Sequence, residues 1–170
     1  FEAARREGRV GVLLRRAGSY DGGAGKTELT LSKNIWLDTS GGLRVDYSID
    51  CAEKNDLILA SEWSLAFLTG DPEWVYMDAG ASERIDMRNA RVLDGLAQVV
   101  ITDRLRGRRL MIDCEPDASF WTRPLETASQ SEGGVERVFQ GLGLVAAWPI
   151  VVGPDERPRL SVRIRTDRKA

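Results

Sequence analysis

A chain of 170 residues, 42% hydrophobic, with 24 basic and 26 acidic side chains, has the balance of one globular domain with a sizeable core. Its formal net charge of -2 offers no basic footprint for nucleic acid, and no run of about eighteen apolar residues offers a membrane-spanning helix. Histidine is absent, which removes Ser-His-Asp and Cys-His catalysis and the commonest transition-metal ligand.

The first eight residues, FEAARREG, are charged and read as a helical turn or as the remnant of a preceding domain. From Arg9 the pattern turns to β, with Val10, Val12 and Leu14 on alternate positions, as in a strand with one buried face. Residues 17–26 (AGSYDGGAGK) read as a glycine-rich loop. Its Gly25-Lys26-Thr27 end falls short of a phosphate loop, because Tyr20 stands where that motif needs glycine and the chain continues as strand, not helix. In that strand Leu29, Leu31, Ile35 and Leu37 share a face with Lys33, which is expected to snorkel or to pair with an acid. After Ser40-Gly41-Gly42, the residues Leu43, Val45, Tyr47 and Ile49 alternate with Arg44, Asp46, Ser48 and Asp50.

Residues 57–68 follow with Leu57, Leu59, Trp63, Leu65 and Phe67 on one face and Ala60, Glu62, Ser64 and Ala66 on the other. The second face is either solvent-exposed or the floor of a groove. Asp71-Pro72 marks a turn, and residues 73–89 read as irregular, with Trp74 and Tyr76 as surface aromatics. Residues 91–94, 98–105 and 108–114 read as three strands with Gly95 and Gly107 at the turns, and residues 160–164 as the last strand. Cys51 and Cys114 are expected as two buried free thiols, as in a cytoplasmic protein. With eight to eleven strands and no helical period, the expected fold is all-β, an antiparallel two-sheet β-sandwich spanning 1–170 as a single domain.

The most informative stretch is 113–150, which joins Phe120-Trp121 to a polar run through Glu126, Ser129, Gln130, Ser131, Glu132, Glu136, Arg137 and Gln140. Glu126, Glu132 and Glu136 can accept hydrogen bonds from sugar hydroxyls, while Arg123, Arg137 and Gln140 can donate them. Trp121 and Trp148 supply flat faces of the kind that stack on pyranose rings. The same residues could instead form a buried polar network that pins a long bent loop to the sandwich. A two-carboxylate glycosidase is a third reading, and spacing along the chain does not give the separation it requires.

The ordered set Phe120, Trp121, Pro124, Thr127, Ser131-Glu132, Glu136-Arg137, Phe139-Gln140-Gly141 and Trp148 resembles the C-terminal β-sandwich region of glycoside hydrolase family 57. That group comprises α-amylases and 4-α-glucanotransferases. Arg16, Lys33, Tyr47, Glu62 and Gly70-Asp71 fall at matching places upstream. The resemblance implies a supersandwich of the galactose-mutarotase-like kind that packs on a catalytic barrel domain of the same parent chain, with the catalytic carboxylates in that barrel. No catalytic residue, cofactor or metal site carries over. The residues expected to contact an α-glucan oligosaccharide are Glu62, Trp121, Glu132, Glu136 and Gln140.

Overall fold

The computed structural model describes residues 2–6, 9–21, 25–80, 84–131 and 134–168. Ten strands account for the regular structure: β1 Glu2–Arg6, β2 Arg9–Asp21, β3 Lys26–Asp38, β4 Leu43–Cys51, β5 Asn55–Ala66, β6 Val75–Asp78, β7 Arg91–Asp103, β8 Arg108–Ser131, β9 Gly134–Val152 and β10 Arg159–Arg168. No helix occurs among the described residues, and the registers are antiparallel. The all-β antiparallel expectation is therefore met.

The residues group into two compact units, Phe1–Leu59 with Ile112–Pro116 and Trp148–Arg165, and Ala60–Met111 with Asp117–Ala147 and Thr166–Ala170. In the first unit the ladder runs β1-β2-β3-β4-β10. Val45, Tyr47, Ile49 and Cys51 of β4 are buried, as their alternation predicts, together with Leu160 and Val162 of β10. Cys51 and Cys114 are buried free thiols. Lys33 pairs with Tyr47 in register and rests over its ring, 5.6 Å from the centroid, so its charge meets an aromatic face. In the second unit β6, β7 and β8 are neighbours, and β9 lies between β8 and β5. Its core holds Val75, Met77, Met87, Val99, Ile101, Phe120, Leu142 and Leu144.

Several expectations are corrected. The N-terminal residues form strand β1, paired with β2 from Glu2↔Leu13 to Arg6↔Arg9, and not a helical turn. The supposed loop at 17–26 is mostly strand, since β2 and β3 pair as far as Asp21↔Lys26. Alternation in β2 does not bury a face: Val10, Val12, Leu13 and Leu14 are all exposed. Trp36, on the face opposite to Leu37, is the buried member of that pair, whereas Leu37 is exposed. Residues 75–78 are a strand, and Tyr76 is buried with the guanidinium of Arg84 4.3 Å and that of Arg104 5.4 Å from its ring centre. Gly95, with φ of 64°, lies inside the continuous strand β7 and does not end it.

The β3–β4 turn shows how one carboxylate sets a local geometry. Asp38 accepts hydrogen bonds from the Ser40 hydroxyl, the Ser40 N–H at 3.0 Å and the Gly42 N–H at 2.8 Å. The Ser40 hydroxyl, then the Gly42 amide, hold its carboxyl below the usual range, with Arg163 adding a smaller charge effect. A carboxylate whose folded pKa is depressed contributes stability above its unfolded pKa, and that contribution is lost as pH falls through the folded value. Asp38→Asn, which keeps the acceptor and removes the titration, should flatten the acid limb of stability against pH. Urea midpoints measured on both proteins below about pH 5 test this; parallel acid limbs would contradict it.

Candidate functional site

The polar run at 126–138 is a hairpin ribbon and not a bent loop. β8 and β9 pair from Ser119↔Ala147 through to Ser131↔Gly134, and residues 126–130 and 134–138 are exposed. That exposure removes the reading of a buried polar network. A register shift between Leu125 and Glu126 leaves Gln140 as the extra residue of a bulge, between Gly141 opposite Leu125 and Phe139 opposite Glu126. The Gln140 carbonyl turns instead to the Phe67 N–H at 3.2 Å, and its side-chain amide donates to the Thr127 hydroxyl at 3.2 Å.

Odd-numbered residues of β8 share a face, so Trp121, Arg123, Leu125, Thr127 and Ser129 form one row. The register adds Glu136, which lies opposite Ser129. Arg123 Nη2 reaches Glu62 Oε1 at 2.9 Å, and Trp121 is 42% exposed. Four of the five expected contact residues, Glu62, Trp121, Glu136 and Gln140, thus belong to one exposed stripe of the second unit. Glu132 lies outside the described residues. Trp148 does not belong there: it is 1% exposed, and its indole N–H donates to the Pro116 carbonyl at 2.9 Å. Glu126 faces the other side of the ribbon, where Arg137 Nη1 approaches it at 3.5 Å.

The stripe is long and open. Six residues of strand separate Arg123, which holds Glu62, from Ser129, which faces Glu136, or about 20 Å at the rise of an extended chain. Carboxylate pairs of glycosidases stand roughly 5 to 9.5 Å apart, so Glu62 and Glu136 do not make such a pair. Both partners of the Glu62–Arg123 bridge are more than half exposed, and such a pair contributes at most about 1 kcal/mol. Among the described residues no three His, Cys, Asp or Glu side chains cluster as metal ligands. The stripe can donate and accept hydrogen bonds beside one indole face.

The sequence carries no sign of a concavity that the strand pairing creates. On the first unit, a cleft of about 660 Å³ opens over β3, β4 and β10, lined by Asn34, Asp46, Ser48, Glu115, Arg159 and Ser161 among others. The outward residues of β4, Arg44, Asp46, Ser48 and Asp50, line its floor. Only the pairing of three strands distant in sequence brings these groups together.

Against known proteins, residues 1–163 match the family described as Alpha-amylase/4-alpha-glucanotransferase, C-terminal. This chain belongs to that family. The match carries the resemblance drawn from Phe120-Trp121 to Trp148 over nearly the whole chain. Among solved structures, the 4-alpha-glucanotransferase of Thermococcus litoralis superposes with a TM-score of 0.69 at 21% identity, over 96% of this chain. This chain spans 22% of that one. The galactose 1-epimerase of Lactobacillus acidophilus gives a TM-score of 0.72 at 11% identity, covering 99% of this chain and 66% of the other. The GalM/aldose epimerase homologue of C. elegans gives 0.64 at 9%, covering 99% and 69%. At such identities the likeness is one of fold, which this member of the amylase and glucanotransferase C-terminal family shares with the two epimerase structures. No curated protein sequence matches. No helix among the described residues is long and apolar enough to cross a membrane.

Proposed function

We propose that this chain is a non-catalytic accessory β-sandwich domain of an α-glucan-processing glycoside hydrolase or glucanotransferase, seated on a catalytic barrel domain. The observation that carries the reading is the family match over residues 1–163. An uncovered apolar face on the first unit supports docking. Val10 pairs with Leu37 and Val12 with Ile35 on the face that buries Val45, Tyr47 and Ile49 further along, yet Val10, Val12 and Leu37 stand exposed.

The stripe of Glu62, Trp121, Glu136 and Gln140 is the part of the second unit suited to an α-glucan oligosaccharide, through hydroxyl hydrogen bonds and one stacking face. Two buried free thiols fit a cytoplasmic location. Residues 1–170 are read as one domain because β5, β8 and β9 each carry residues of both units. One cooperative unfolding transition, the same by fluorescence and circular dichroism, is expected; two separate transitions would refute this.

The test of the accessory role is twofold. The reading frame upstream of the Phe1 codon should encode a barrel-sized segment, and a start codon within a few residues would undermine the proposal. The 170-residue chain should release no product from starch or maltotriose, and measurable turnover would overturn the non-catalytic role.

A further inference from the structure

We propose that the polar cleft over β3, β4 and β10 is a binding site for a neutral oligosaccharide, separate from the Trp121 stripe. The registers set its groups on a grid. Asn34, Asp46 and Ser161 stand side by side across three strands, and Ser48 and Arg159 stand side by side two residues further along. Neighbouring positions are about 4.8 Å apart across the strands and about 6.8 Å apart along them. Glu115 of β8 flanks this floor.

Charge argues for a neutral ligand. The acids lining the cleft are Asp46, Asp50 and Glu115, matched by Arg44, Arg157 and Arg159. Arg44 holds Asp46 at 2.7 Å, and Arg157 stands 3.5 Å from Asp50. An anion would face three carboxylates, and a cation three guanidinium groups. The side chains of Glu115 and Arg159 make no hydrogen bond or ion pair with another described residue, which leaves one acceptor-only and one donor-only group open. A vicinal diol answers both, since one hydroxyl can donate to the carboxylate while its neighbour accepts from the guanidinium.

Hydroxyls complete the lining. Asn34 stands at the cleft with its Oδ1 buried and without a hydrogen-bond partner. The Ser48 and Ser161 hydroxyls beside it can each donate and accept, and a ligand bearing hydroxyls along one edge uses the free capacity of both serines.

The choice of an α-1,4-glucan as probe rests on the function proposed above; the chemistry of the cleft does not. The experiment titrates maltoheptaose, and separately cellohexaose, into the 170-residue chain while amide resonances are followed. Saturable shifts are expected at Asn34, Asp46, Ser48 and Ser161. Glu115→Gln and Arg159→Met should each weaken binding at least tenfold with an unchanged unfolding midpoint. No saturable shift with either sugar would overturn the site, as would shifts confined to the Trp121 stripe or binding indifferent to both cleft variants. Binding of cellohexaose alone would uphold the cleft and count against the α-glucan role, so the two failures are distinguishable.

Discussion

Alanine at Trp148 is expected to cost about 4 kcal/mol of unfolding free energy, against less than about 1 kcal/mol for alanine at Trp121. The two indoles read alike in the sequence, as flat faces near a polar run. Trp148 is 1% exposed, and its N–H donates to the Pro116 carbonyl at 2.9 Å. Truncation removes a large buried apolar surface, opens a cavity and leaves that carbonyl unpaired. For a chain of this length the loss corresponds to a fall of about 12 °C in Tm. Trp148→Phe retains most of the buried area and loses the hydrogen bond, so an intermediate cost of about 2 kcal/mol is expected. Urea unfolding of the three variants decides the matter. Equal losses at Trp148 and Trp121 would show that the two rings are not divided between core and surface.

Alternation was legible where the apolar face of a strand is covered. Val45, Tyr47, Ile49 and Cys51 of β4 are buried on such a face. The equally regular Val10, Val12 and Leu14 are exposed on β2. Periodicity reports which residues share a face and is silent about whether anything covers it. Residues 126–131 failed for the opposite reason. With both faces open to solvent, neither row needs apolar residues, so this end of β8 carries no hydrophobic period and looks like loop.

The stripe was legible in composition and not in geometry. Trp121, Gln140 and Glu136 could be named from residue type, but the bulge decides which of them share a face. Without the register shift at Leu125/Glu126, Glu136 would stand opposite Gln130 on the far side; with it, Glu136 stands opposite Ser129 in the row of Trp121. The cleft of the first unit was out of reach, because Asn34, Asp46 and Ser161 come from three separate strands. Their residue types are those of any solvated face, and only the ladder makes them neighbours.

Gly141→Ala should lower stability by about 3 kcal/mol, a large effect for a single added methyl group. A Cβ at this position would lie 2.1 Å from the Leu65 carbonyl oxygen, 3.0 Å from its carbon and 3.1 Å from the Ala66 Cα. All three obstacles are backbone of β5, so no rotamer change relieves them, and β5 would have to move off β9. Two other glycines calibrate the result. At Gly18 nothing lies within 4 Å, and alanine there should stay within about 0.5 kcal/mol of the parent. At Gly143 the new methyl would meet Arg123 Cγ at 3.0 Å and Nε at 3.2 Å, a flexible side chain that can swing aside at the expense of its exposed bridge to Glu62. That substitution should cost no more than about 1 kcal/mol. Gly141→Ala should also disturb the stripe, because β5 carries Glu62 and its displacement breaks the 2.9 Å contact with Arg123. Chemical unfolding gives the ranking, and amide shifts at Glu62 and Arg123 report the displacement. If Gly141→Ala proves as stable as Gly18→Ala, the close approach of β9 to β5 that sets this face is wrong.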